Sequence, residues 1–375
     1  MIEAGFFYEA LVKRGVGFFT GVPDSLLKSF CAYITEHSDS TRHIIAVNEG
    51  AAIGLAAGYH LASGNIPLVY MQNSGLGNAT NPLLSLADAE VYRIPMILVI
   101  GWRGERGVPD EPQHIKQGEV TCVLLEDMGI PYTDLSCEKD EAEEQIARAF
   151  CRIAGTNAPF AFVVRKNTFA PYAFQKGEGI EAEMSREQAI EEVLRAAPES
   201  GVFISTTGMA SREVYELRER QGQSHARDFL TVGSMGHASS IALGVALRKP
   251  QLPVTCLDGD GALLMHMGAL AAIGVRKPRN LLHIVLNNGA HDSVGGQPTI
   301  APSIDLPAIA RACGYVNVYL ARTVAELQAA LEASYEALTF IEARVRKGAR
   351  NDLGRPSSTP LENKAAFMNY IDGLY

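Results

Sequence analysis

Strand-length runs of apolar, β-branched and aromatic residues recur along the chain, separated by stretches whose apolar positions follow helical spacing. In the first half the runs are Phe18-Phe19-Thr20, Ile44 to Val47, Leu68 to Met71, Met96 to Ile100 and Phe160 to Val164. Small-residue helical stretches such as Ala51 to Ala62 lie between them. In the second half the runs are Val202 to Ser205, Phe229 to Val232, Val254 to Leu257, Leu282 to Leu286 and Phe340 to Val345. Continuous apolar strands alternating with helices indicate parallel sheets covered on both faces. The rhythm occurs twice, which predicts an α/β protein with two doubly wound parallel-sheet domains and no domain between them. Lys166 to Glu183 has no period, several glycines and prolines, and mixed charge. Ser185-Arg186-Glu187-Gln188 then fits a capping box before the apolar positions Ile190, Val193 and Leu194. The expected organisation is a domain over 1–170, a linker over 171–184 and a second domain over 185–375.

Composition narrows the function classes. Of 375 residues, 47% are hydrophobic and 20% charged, which suits a folded globular chain. No apolar run reaches the ~18 residues of a membrane span. The N-terminal residues lack a basic region followed by an apolar stretch, so a cytoplasmic protein is expected. A net charge of −9 without a dense basic run argues against nucleic acid as a partner. The six cysteines form no CxxC pair and read as buried thiols rather than a disulfide framework or zinc site.

The chemistry concentrates at two turns of the second half. The run Val254 to Leu257 ends in Asp258-Gly259-Asp260-Gly261-Ala262; a helical pattern follows over Leu263 to Val275, and the run Leu282 to Leu286 ends in Asn287-Asn288-Gly289-Ala290. Parallel strands would bring both turns to one carboxyl edge, where open α/β folds bind ligands. The glycines let backbone N–H groups approach a phosphate, and a helix start adds its positive end. Asp260 and Asn288 offer the hard oxygen donors that Mg²⁺ prefers. Singly, each turn is ordinary. The order strand–GDG–helix–strand–NN resembles the diphosphate-binding motif of the thiamine-diphosphate enzyme superfamily.

That resemblance implies thiamine diphosphate and Mg²⁺ as cofactors. It gives the metal Asp260, the Asn288 side chain and the main-chain oxygen of Ala290, with Gly259, Gly261 and Ala262 beside the diphosphate. Thr206 to Ser211, including Gly208 and Met209, resembles a second diphosphate-contacting turn. Gly233-Ser234-Met235-Gly236 resembles the segment that holds the pyrimidine ring, Gly233 by its carbonyl and Met235 as an apolar wedge. The superfamily also needs a glutamate against that ring, and Val47-Asn48-Glu49-Gly50 supplies Glu49 where a strand opens into a helix. Asn73 to Asn78 resembles the small-residue loop of the same half. The resemblance further implies a homodimer or larger assembly with sites shared between subunits.

The absence of a middle domain resembles the compact decarboxylases that act on 2-oxo acids bearing a phosphonate or sulfonate. Gly21 to Leu26 resembles their opening loop, with Asp24 near the reacting carbon and Ser25 beside it; a turn with Asp24 or Ser25 as an N-cap is the plainer alternative. Gly101 to His114 is too irregular for a helix and carries the single Trp and His114. Asn288 to Gln297 resembles the phosphonate-specific version of its loop and contains His291. After CO2 leaves, a proton must return to the substrate carbon, and His114 or His291 can assist. The small anionic 2-oxo acid needs cations or N–H donors, for which Arg103, Arg106, Lys116, Arg350 and Arg355, with Ser25 and Asn73, are the candidates. Alternatives are a sulfonate substrate, another 2-oxo acid, or a non-catalytic nucleotide or diphosphate binder; Glu49 speaks against the last.

Overall fold

The computed structural model describes residues 1–175 and 180–374. The chain divides into two compact units, 1–177 with 293–297, and 178–292 with 298–375. Part of the expected linker, residues 176–179, lies outside the described residues.

The first unit holds β1 (Val16–Gly21), β2 (His43–Ile45), β3 (Ile66–Gln72), β4 (Ile97–Gly101), β5 (Tyr132–Asp134) and β6 (Phe160–Val164). The second holds β7 (Val202–Ser205), β8 (Asp228–Leu230), β9 (Val254–Gly259), β10 (Leu281–Asn287), β11 (Asn317–Ala321) and β12 (Thr339–Arg344). The sheets run β2-β1-β3-β4-β6-β5 and β11-β12-β10-β9-β7-β8, with parallel pairing throughout. Counted from its own first strand and read from the opposite edge, the second order equals the first. The two α/β sheets are doubly wound, as the repeated rhythm predicts.

Burial follows the apolar runs. β3, β4, β6, β9 and β10 are covered almost end to end, because helices lie on both faces. Phe7, Phe30, Phe162 and Phe169 stack on one side of the first sheet, while Ile53, Met71, Ile100 and Leu125 fill the other. The Ser185–Gln188 capping box forms as expected and opens the helix Arg186–Ala196.

Four expectations need correction. Of the six cysteines only Cys31 and Cys256 are buried; Cys122 and Cys313 are half-buried, and Cys137 and Cys151 are exposed beside and on the polar helix Lys139–Thr156. The helical pattern after Gly261 is broken: one helix covers Asp260–Met265 and another Ala269–Arg276, with Gly268, a poor helix former, at the join. His114 lies in the helix Pro112–Asp127 rather than in irregular chain, because Pro112 is suited to a first helical turn. The helix after β1 begins at Lys28, so neither Asp24 nor Ser25 caps it; the Asp24 carboxylate accepts from the Leu26 N–H at 2.9 Å in a turn.

Candidate active site

In a doubly wound sheet, ligands collect where the strand order reverses. In the first unit that point falls between β1 and β3. The turns after β1, β2, β3 and β4 carry Asp24, Glu49, Asn73 and Arg103, four of the residues singled out in the sequence.

Glu49 is the first residue of the helix Glu49–Ser63, which Asn48 caps by accepting from the Ala51 N–H. Glu49 is only 5% exposed. Asn78 donates to one of its oxygens at 2.8 Å. Gly75 makes room for the other: a β-carbon there would lie 2.5 Å from Glu49 Oε1. The loop Asn73 to Asn78 is therefore the cradle of this carboxylate.

Asp24 is fully buried, and its Oδ1 has no hydrogen-bond partner among the described residues. Burial raises its pKa, partly offset by the Leu26 N–H and the Arg103 charge. Arg103 donates to Ser25 Oγ at 2.6 Å and grips Asp110 with two nitrogens, one at 2.8 Å. Asp110 also accepts from His114 Nδ1 at 2.8 Å and from the N–H groups of Gly104 and Glu111. Burial alone would raise the Asp110 pKa, but the bonds from Arg103 and His114 outweigh it and hold the carboxyl well below its usual range. Asn73 donates to the Arg103 carbonyl and to Thr121 Oγ1, both at 2.8 Å, which pins this cluster to β3. The sequence reading missed Asp110; its spacing of four from His114, across a helix start, was the available signal.

The structure thus brings Asp24, Ser25, Asn73, Arg103 and His114 together. Lys116 and Arg106 are exposed on the same loop and helix. Lys116 pairs with Glu119, and no ion pair holds Arg106 among the described residues. Replacing Asp24 with Asn tests the buried carboxyl. A pKa raised on folding adds no penalty while both states are protonated; the penalty grows as pH rises above the ordinary value of 3.8. The melting temperature of Asp24→Asn is therefore expected to gain on the parent as pH rises above 3.8. A gap that stays flat or shrinks over that range would refute the raised pKa.

In the second unit the order reverses between β7 and β9. The turn after β7 carries Gly208, at φ 93°, and Met209 opens the helix Met209–Arg220. Thr207 Oγ1 donates to the Val232 carbonyl at 2.9 Å, tying this turn to the Gly233–Met235 segment. After β9 comes Asp260, which is 3% exposed and accepts from Thr299 Oγ1. Burial pushes its pKa up to about 6 against the pull of Thr299 and nearby N–H groups. A buried carboxylate without a cationic partner among the described residues is unfavourable unless a cation joins it. A hard divalent ion fits this donor. Asn288 follows β10, 5% exposed, with Oδ1 accepting from the Ala290 N–H at 3.0 Å. Ala262 and Ala290 are buried beside them, and Gly259 is half-buried.

His291 lies over Gly261: its ring carbon is 3.1 Å from where a β-carbon would sit, and the Met235 methyl is 3.4 Å from the same point. Gly261, Met235 and His291 therefore meet at one spot. Burial drops the His291 pKa to about 4, so the imidazole is neutral near neutral pH. Behind the two turns, His283 stands 3.4 Å from Asp258 and 3.0 Å from the Tyr315 hydroxyl, all buried between the strands. The basic tail is otherwise engaged. Arg350 pairs with Glu187, Glu216 and Asp352, and Arg355 is exposed.

Two family descriptions match the chain: the thiamine pyrophosphate enzyme N-terminal TPP binding domain over residues 4–123, and the C-terminal TPP binding domain over 206–343. A phosphonopyruvate decarboxylase of Streptomyces viridochromogenes is 35% identical over 99% of this chain and 95% of its own length. The phosphonopyruvate decarboxylase of Streptomyces hygroscopicus is also 35% identical, over 99% of this chain and 94% of its own. A sulfopyruvate decarboxylase of Methanosarcina acetivorans is 29% identical over 97% and 96% respectively.

Proposed function

Since this chain belongs to the phosphonopyruvate decarboxylase family of thiamine-diphosphate enzymes, we propose that it removes CO2 from 3-phosphonopyruvate, leaving phosphonoacetaldehyde for phosphonate biosynthesis. The observation that carries the reading is the buried, cation-free carboxylate of Asp260 at the reversal point of the second sheet. Asp260, Asn288 and the Ala290 carbonyl would hold Mg²⁺ there. Gly208, Met209, Gly259, Gly261 and Ala262 would line the diphosphate, while Gly233 and Met235 would hold the pyrimidine. When bound, thiamine diphosphate would supply a carbon nucleophile for the 2-oxo group and an electron sink for the departure of CO2.

The chain's own residues then have separable tasks. Glu49 holds a proton shared with the pyrimidine ring, and its cradle of Asn78 and Gly75 keeps it aimed. Asp110 accepts from His114 Nδ1, which leaves Nε2 as the nitrogen that can move a proton to or from the substrate. Asp24, fully buried and with its pKa raised by that burial, can hold a proton. His291 presents a neutral imidazole over Gly261. Arg103 is committed to Asp110 and Ser25, and Asn73 braces its backbone, so these residues set the shape of the pocket. Arg106 and Lys116 are then the cations for the phosphonate, since exposed pairs such as Lys116–Glu119 exchange readily; Arg350 and Arg355 serve the second unit's surface.

The assembly is a homodimer or larger, the pyrimidine half of one subunit serving the diphosphate half of another. Leu55 and Leu61 on the helix Glu49–Ser63, with Leu84, Val91 and Tyr92, are apolar and exposed on the first unit, and a second copy would cover them. Sedimentation should give a dimer or larger; an active monomer would refute it. A reducing cytoplasm suits the six unbonded cysteines. Among the described residues no helix is long and apolar enough to cross a membrane. The substrate is tested by CO2 release from phosphonopyruvate, sulfopyruvate and pyruvate offered side by side. Preference for phosphonopyruvate is the expected result; preference for sulfopyruvate would move the chain to the sulfonate reading.

A further inference from the structure

A metal ligand that is an amide has a problem that a carboxylate lacks. Only one end of the Asn288 carboxamide is an oxygen, and a half-turn about its last bond would point two N–H donors at the cation instead. Something must choose the orientation. The Asn288 nitrogen donates to Asp292 Oδ2 at 2.6 Å. That oxygen already accepts from Arg186 Nη1 and the Gly348 N–H, so the atom that faces it must be a donor, the amide nitrogen. The oxygen is thereby turned to the other side, where it lies against the Ala290 N–H.

Asp292 is itself fixed. The same Oδ2 accepts from Arg186 Nη1 at 3.1 Å and from the Gly348 N–H at 2.9 Å. Arg186 is 6% exposed and grips Glu213 with two nitrogens, at 2.7 and 3.0 Å, while another bond reaches the Gly348 carbonyl. Glu213 is almost wholly buried. These partners come from four places: the first residue of the capped helix Arg186–Ala196, the helix Met209–Arg220, the turn after β10 and the turn after β12. One buried guanidinium is thus shared by two carboxyl groups.

We propose that Asp292, fixed by Arg186 and Glu213, is a positioning residue that sets the flip of the Asn288 amide so that its oxygen meets the metal. The proposal rests on Asn288 being a metal ligand, and its test separates the two claims. Mn²⁺ is the probe, titrated by electron paramagnetic resonance into the full-length protein at fixed thiamine diphosphate. In Asp292→Asn the new amide can meet either end of Asn288, so the discrimination is lost. Mn²⁺ affinity should fall about 10-fold or more, as for other residues that orient metal ligands. Arg186→Lys keeps the charge but loses the fork to Glu213, and a smaller fall is expected.

The decisive arm uses Asn288→Asp, in which both ends of the side chain are oxygen and no flip needs choosing. In that background Asp292→Asn should weaken Mn²⁺ binding far less than it does beside Asn288. A merely structural role for Asp292 would weaken binding equally in both backgrounds, and that result overturns the proposal. If Asn288→Ala leaves Mn²⁺ affinity unchanged, the metal reading itself fails. Melting temperatures without metal check that each variant is folded; should Asp292→Asn not fold, Arg186→Lys in the two Asn288 backgrounds gives the same comparison.

Discussion

Glu49→Gln is expected to abolish turnover while leaving cofactor binding nearly intact. The two side chains have the same size, so the cradle formed by Asn78 and Gly75 should accept either. What changes is the proton. A carboxyl can take up and release a proton at the ring it faces, whereas an amide cannot, and general acid–base steps of this kind contribute about 10²- to 10⁴-fold. The expected loss in kcat is therefore at least about 100-fold. Titration calorimetry with thiamine diphosphate and Mg²⁺ should change by no more than a few-fold. A variant with full activity would remove Glu49 from the chemistry, and one that failed to bind cofactor would make it a structural residue.

Asp260→Asn is expected to separate stability from function in the opposite sense. Folding raises the Asp260 pKa to about 6, so its burial penalty grows from the ordinary 3.8 up to that value and stays constant above it. Near neutral pH the variant should consequently melt no lower than the parent when both are free of metal. With thiamine diphosphate and Mg²⁺ at about 100 times the dissociation constant, ligand linkage stabilises the parent by about 2.7 kcal/mol, or on the order of 5 °C or more. Asp260→Asn should show little of that rise, because the buried carboxylate offered to the cation is gone. Thermal melts of both proteins, with and without the two ligands, decide it. An equal rise in parent and variant would take the metal away from Asp260.

Much of this site was legible in the sequence because its parts are local. Asp260, Asn288 and Glu49 each sit at a strand-to-helix turn, where the end of an apolar run and a following glycine or small residue mark the position. The repeated sheet was legible for the same reason: β4, β6, β9 and β10 are buried on both faces and so read as unbroken apolar runs. The edge strands β5 and β11 escaped notice. Tyr132–Asp134 and Asn317–Ala321 are mostly half-buried, and they are strands because β6 and β12 pair with them. The supports of the site were legible only where they too are local. Asp110 stands four residues from His114, within reach of a sequence argument. Arg186, Glu213 and Asp292 meet only after three turns and helices have folded, and no spacing announces them. The same holds for Asn73, whose amide resembles a substrate contact in sequence but is bound to Arg103 and Thr121 in the structure.

The most direct test follows ³¹P resonances as the purified protein meets phosphonopyruvate, with and without thiamine diphosphate and Mg²⁺. The expected result is conversion to phosphonoacetaldehyde, its carbon–phosphorus bond intact and one CO2 released per aldehyde, only when both cofactors are present. Unchanged substrate in the complete mixture, or conversion that proceeds equally well without the cofactors, would contradict the account.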